Sequence, residues 1–98
     1  MIASFRDRAT EDLFHGIDSR ATRIIVPAAL KPIAVRKLDL LNAAHDLRDL
    51  RVPPGNRLEA LKAEWKGFHS IRINDQFRVV FRFRDGKAHE VMIIDYHR

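Results

Sequence analysis

The chain ends on Asp95-Tyr96-His97-Arg98, which sets a carboxylate, a phenol and an imidazole side by side. Such groups hold or move protons when a site arranges them. Upstream, Ser70-Ile71-Arg72-Ile73-Asn74-Asp75-Gln76-Phe77-Arg78 puts arginines on both sides of a polar turn, and Gly55-Asn56-Arg57-Leu58-Glu59 adds a further cation and acid. A guanidinium is planar and matches two phosphate oxygens at once. Arginines beside proton-transfer groups therefore suit a phosphodiester. If the segments around Asn74-Asp75-Gln76 pair as strands, Arg72 and Arg78 come within reach of one phosphate. The plainer reading is a solvated sheet face whose arginine stems cover apolar neighbours.

Glu59 and Lys62 either form an ordinary surface ion pair or line a cleft opposite the last strand. His69 opens a strand, and is either part of the basic face or a satisfied, half-buried side chain. Asp95 could instead pair with an arginine and Tyr96 could cap the core, but the ending continues an apolar strand, so it is expected to be held. Asp95 and His97 are possible metal ligands, yet no spaced second pair such as His-x-x-x-His accompanies them, and no metal site is expected. His15, His45 and His89 are isolated, and there is no Ser-His-Asp arrangement, glycine-rich phosphate loop or zinc pattern.

Composition narrows the classes. A chain of 98 residues suits one domain, 1–98, with a single modest core. The longest apolar run, Ile24 to Leu30, contains Pro27 and is too short to cross a bilayer. No signal peptide is read at Met1-Ile2-Ala3-Ser4-Phe5-Arg6. The absence of cysteine excludes disulfides and thiolate metal sites and fits a cytoplasmic protein. Residues 51–84 hold eight cations against three anions, an excess equal to the whole net charge of +5. That clustering points to a polyanion bound on one face, with a solubilising basic surface as the alternative.

The elements that must position these groups follow from periodicity. Ile2 to Phe5 reads as a first strand. Thr10 reads as the N-cap of a short helix over 10–15 that ends at Gly16. Residues 17–27 read as a loop. Leu30, Ala34, Leu38, Leu41, Ala44 and Leu47 recur at helical spacing, with Pro32 in the first turn and Arg36, Lys37, Asp39, Asp46 and Arg48 on a solvated side. Pro54-Gly55 suits a type II turn. His69, Ile71 and Ile73 alternate with polar residues, as do Phe77, Val79, Phe81 and Phe83, giving period-two strands. Asp85-Gly86 signals a hairpin, and His89 to Asp95 is a last strand, apolar on both faces. The expected fold is α+β in the order β-α-α-β-β-β, a small, mostly antiparallel sheet packed against two helices.

These segments together resemble the host-inhibition-of-growth B (HigB) toxins of bacterial type II toxin–antitoxin modules, within the RelE/ParE superfamily. The resemblance runs from Met1-Ile2 and Ser4-Phe5 through Arg36-Lys37-Leu38, Leu47-Arg48-Asp49-Leu50 and Pro53-Pro54-Gly55-Asn56-Arg57-Leu58-Glu59. It closes on Ser70 to Gln76, Arg78 and Asp95-Tyr96-His97. It implies a compact RelE-like fold and a ribosome-dependent mRNA endonuclease that needs no metal or cofactor. Implied partners are the ribosome with its mRNA, a cognate helix-turn-helix antitoxin, and operator DNA reached through the antitoxin complex, with no membrane. Asp95, Tyr96 and His97 match the terminal active-site motif. Arg78 matches a strand arginine facing phosphate, and Lys62 falls where a cation lines the cleft. Arg57, Arg72 and His69 complete the RNA-binding set. Some relatives carry a histidine where Glu59 stands, so Asp95, His97 or Glu59 is the possible base. ParE-like members inhibit DNA gyrase without cutting RNA. A non-catalytic inhibitor that binds ribosomal RNA, a ribosome precursor or another target is therefore the alternative.

Overall fold

The computed structural model describes residues 1–96, so the part of the expected site carried by His97 lies outside the described residues. Helix α1 (Arg8–Phe14) starts one turn earlier than Thr10 suggested, because Asp7 is the N-cap and accepts the Thr10 N–H at 2.7 Å. Thr10 is fully buried instead, and its hydroxyl accepts the Ile93 N–H at 3.2 Å, tying this helix to the sheet. The segment read as a loop contains a second helix, α2 (Arg20–Ile25). Ser19 and Thr22 cap it reciprocally, each side chain accepting the other's backbone N–H. Helix α3 (Lys31–Ala43) carries Pro32 in its first turn and buries Ala34, Leu38 and Leu41. Leu47 lies beyond it, in a separate 3-10 turn, Leu47–Arg51.

Four strands follow: β1 (Glu59–Ala60), β2 (His69–Arg72), β3 (Phe77–Arg84) and β4 (Lys87–Asp95). They form an antiparallel meander in the order β1-β2-β3-β4. Asp85 and Gly86 both take positive φ in the β3–β4 hairpin, as a tight turn between twisted strands requires. The segment expected as a first strand makes two isolated parallel bridges to β4, Ile2 to Ala88 and Phe5 to Val91. It is too short to add a strand, but it gives β4 a second neighbour along part of its length.

Both faces of the sheet are covered. Ile71, Val79, Phe81, Val91 and Ile93 pack with Leu13, Leu38, Leu41 and Leu50 on the helical side. Phe81, Leu38 and Leu41 are fully buried, each worth about 1.5–3 kcal/mol of transfer free energy. On the other side Leu61, Phe68, Val80 and Met92 form a second small cluster, joined by Trp65 and Ile94. This second cluster explains why Val80, an outward position of an alternating strand, is itself buried.

Two turn expectations are corrected. Pro54–Asn56 forms a 3-10 turn rather than a type II turn, because the fully buried Asn56 side chain donates to the Leu50 and Val52 carbonyls at 3.1 and 3.3 Å. Lys37 is not on the solvated side. It is 9% exposed, and its ammonium donates to Asn56 Oδ1 at 2.5 Å. Among the described residues no helix is long and apolar enough to cross a membrane.

Candidate active site

Strand register decides which side chains meet. Glu59 stands opposite Ser70, Ser70 opposite Val80, Arg72 opposite Arg78, and Arg78 opposite Ile94. Opposed residues share a face and successive residues alternate. Glu59, Ser70, Arg72, Arg78, Val80 and Ile94 therefore lie on the sheet face away from the three helices. Tyr96 returns to this face just past β4, where its N–H donates to the Gln76 carbonyl at 2.6 Å.

Arg78 is the most enclosed cation of the group, at 8% exposure. It donates from Nη1 to the carbonyls of Asn74 and Phe77, the latter at 3.1 Å, so its head is aimed by backbone. Its guanidinium carbon lies 5.6 Å from the centroid of the Tyr96 ring. Arg72, its register partner, donates from Nη2 to Asp75 Oδ1 at 2.7 Å, while its buried Nε has no partner among the described residues. This Arg72 contact, helped by the Arg78 and Arg57 charges, holds the exposed Asp75 carboxyl below the usual range. Arg57 is exposed at the end of the Pro54–Asn56 turn, in a left-handed conformation with φ of 45°.

A cleft of about 380 Å³ opens beside this group, lined by Glu59, Ala60, Leu61, Lys62, Trp65 and Tyr96. Three residues singled out in the sequence, Glu59, Lys62 and Tyr96, thus meet in one hollow. The acid comes from the edge strand β1, the amine from the loop after it, and the phenol from the end of β4. Such a cleft offers a carboxylate to take a proton, a phenol to donate a hydrogen bond, and cations to hold an anionic centre.

The structure does not bring every expected residue there. Asp95 stands opposite Phe77, on the core-side parity of β4, and its Oδ2 accepts from Gln76 Nε2 at 3.0 Å. His69 stands opposite Phe81 and stacks on it, with centroids 6.3 Å apart and planes at 25°. It faces the helical side and lines a separate hollow of about 230 Å³ with Leu47, Arg48, Arg51, Leu58 and Ala60. Burial pushes its imidazole below the ordinary value. Among the described residues no three His, Asp or Glu side chains gather where they could share a metal ion. The cleft residue that sequence reasoning missed is Trp65. Its one signal was being the sole tryptophan of the chain, and it carries no period that would assign it to a face.

Comparison with known proteins agrees with this architecture. The family model described as RelE-like toxin of type II toxin-antitoxin system HigB matches residues 3–97. Toxin HigB-1 of Vibrio cholerae is 41% identical over 88 residues, covering 90% of each chain. An uncharacterised protein of Haemophilus influenzae is 32% identical over 68 residues, 69% of this chain and 67% of its own. A chain of the heterotetrameric YoeB-YefM toxin-antitoxin complex from Staphylococcus aureus superposes with a TM-score of 0.54 over 100% of this chain and 99% of its own. At 17% identity that last likeness is one of fold. With the family model spanning nearly the whole sequence and the Vibrio relative matching nine-tenths of it, the chain belongs to the HigB-like family of RelE-like toxins of type II toxin–antitoxin systems.

Proposed function

We propose that this toxin is an endoribonuclease that cuts mRNA on the ribosome without a metal, and that an antitoxin encoded beside it neutralises it. The observation that carries the reading is the convergence of Glu59, Lys62 and Tyr96 on one cleft, beside an Arg78 aimed by two backbone carbonyls. In the reaction, the ribose 2′-oxygen forms a bond to the adjacent phosphorus and the bond from phosphorus to the 5′-oxygen breaks. The products are a 2′,3′-cyclic phosphate and a 5′-hydroxyl. Glu59 is the candidate to accept the 2′-hydroxyl proton, being the one of the three possible bases that lines the cleft among the described residues. The Tyr96 phenol, which lines the same cleft, is the candidate to supply the leaving oxygen's proton. Lys62 and Arg78 carry the charge that builds on the phosphorane. Glu59, Ala60 and Lys62 are exposed, so the cleft is open. An open cleft holds a flexible strand poorly, and the ribosome supplies the missing alignment.

The antitoxin is proposed to carry a helix-turn-helix domain and to bring the complex to operator DNA. Its docking surface is assigned to the exposed parts of α1 and α3, away from the cleft.

The test is a purified translation reaction with a defined mRNA, its 5′ ends mapped by primer extension with and without ribosomes. Translation-dependent new ends are expected. Glu59→Gln and Tyr96→Phe should each slow single-turnover cleavage on the order of 100-fold or more while still binding ribosomes. Growth arrest without any new ends would leave the non-catalytic alternative in place. Co-purification with the neighbouring gene product tests the partner.

A further inference from the structure

Trp65 belongs to two hollows at once. It lines the cleft of about 380 Å³ that holds Glu59, Lys62 and Tyr96, and also an adjoining hollow of about 420 Å³ with Arg6, Glu64, Phe68, Arg82 and Glu90. Its indole is half-buried, so one part packs and another meets solvent. The packed part is held firmly. The Trp65 ring meets Phe68 edge-on, with centroids 5.5 Å apart and planes at 88°. Phe68 is covered in turn by the Arg82 guanidinium, 4.1 Å from its centroid, and Arg82 pairs with Glu90 at 2.9 Å. Backbone bonds fix the base of the residue: the Trp65 N–H donates to Lys62 at 3.1 Å, and its carbonyl accepts from Phe68 at 3.0 Å. The turn after it depends on Gly67, at φ +93°, where a Cβ would meet Arg82 Nη1 at 2.6 Å.

A large aromatic surface fixed at its base and open to a cleft suits stacking by a flat ring, and every nucleobase presents one. The second hollow is a poor phosphate site, because its two arginines are balanced by two carboxylates. Arg82 and Glu90 are paired with each other, which leaves Arg6 and Glu64 in the same hollow as the match to a base edge. Guanidinium groups donate to ring nitrogens and carbonyl oxygens, and carboxylates accept from exocyclic amines.

We infer that Trp65 is a stacking platform for the nucleobase next to the cleaved phosphate, and that the adjoining hollow past the rim of its indole receives that base's polar edge. The inference rests on the nuclease reading above. It assigns the single-stranded RNA substrate a second contact, separate from the reacting groups, and makes Trp65 a determinant of which base is tolerated beside the cut.

The experiment uses the full chain on programmed ribosomes, with mRNA carrying 5-iodouridine at the positions flanking the cut. Irradiation should attach the RNA to the peptide containing Trp65. Trp65→Leu, which keeps an apolar wall, should raise KM on the order of 10- to 100-fold with a smaller change in kcat, and Trp65→Tyr should recover most of the loss. Thermal melting of both variants separates this from a packing defect, since a merely structural tryptophan would lose stability without shifting KM or the flanking-base preference. If the parent cleaves but attaches elsewhere, or Trp65→Leu keeps the parent KM, the stacking role is overturned and the nuclease reading stands. If the parent cleaves nothing, both are overturned.

Discussion

In the proposed reading, a carboxylate and a phenol act on a phosphodiester beside cations that hold the charge building on it. Glu59 and Tyr96 have Lys62 in the same cleft and Arg78 against the Tyr96 ring. All four were legible as candidates, because their types and order carry the chemistry. Their grouping rests on parity, since a residue one place along a strand points the opposite way. His69 shows the consequence: it is beside Ser70 in sequence and on the other face in space. Burial holds its imidazole below the ordinary 6.5, so the folded chain disfavours the imidazolium. Between the folded value and 6.5 the unfolded chain binds more protons. Stability therefore rises with pH in that window, and is lost as pH falls from about 6.5 through the folded value. Urea unfolding between pH 7.5 and 5 should show this fall, and His69→Leu should flatten part of it. An unchanged slope in the variant would show that His69 has no such role.

At the scale of elements, the link between α3 and the loop before β1 is a buried lysine held by a buried asparagine. Desolvation, with lesser contributions from Arg36 and Arg72, pulls the Lys37 ammonium below the usual lysine range. Asn56 accepts from Lys37 and spends its two amide hydrogens on carbonyls of the preceding chain. This arrangement fixes the turn that delivers Arg57 and Glu59 to the sheet edge. Asn56→Ala should cost about 2–3 kcal/mol, the desolvation penalty of buried groups left unpaired. Lys37→Met in the same chain should return part of it by removing the stranded charge. A loss of less than ~0.5 kcal/mol in urea unfolding would remove the node from the account. The long helix and the alternating strands were readable because they repeat. Helix α2 was not, because six residues are too few to show a stripe and Ile24 is 75% exposed. The Pro54–Asn56 turn was not legible because the buried side chain of Asn56, held from α3 by Lys37, bonds the carbonyls of Leu50 and Val52, and no local residue type signals that burial.

Across the whole molecule, the meander gathers part of the charge excess of residues 51–84 on one face of the sheet, while Arg51 lies with His69 at the helical side. Arg72 and Arg78 stand opposite each other on the face away from the helices, and the exposed Arg57 charge acts on the same Asp75. In the proposed reading, an incoming phosphate competes with Asp75 for Arg72. Arg72→Gln should weaken binding to ribosome-held RNA across all sequences, and should reduce the slope of log affinity against log salt by about 0.7. Asp75→Asn should tighten binding. Arg23→Ala, an exposed residue paired with Asp18 near α2, should change neither. Equal losses for Arg72→Gln and Arg23→Ala, measured by salt-dependent sedimentation with ribosomes, would reduce the basic face to a general property of the surface.

The sequence by itself determined the α+β class, the strands with period two, the main helix and the candidate residues for phosphodiester chemistry. These are local properties, set by side-chain type and by spacing along a few turns or pleats. Only the tertiary structure decided that Glu59, Lys62 and Tyr96 share a hollow, that Lys37 is buried, that Asp95 and His69 take the other parity, and that Trp65 stands between two clefts. Each of those depends on strand register and on which face a distant segment covers. Register is a relation between residues far apart in the chain, and no window along the sequence contains both partners.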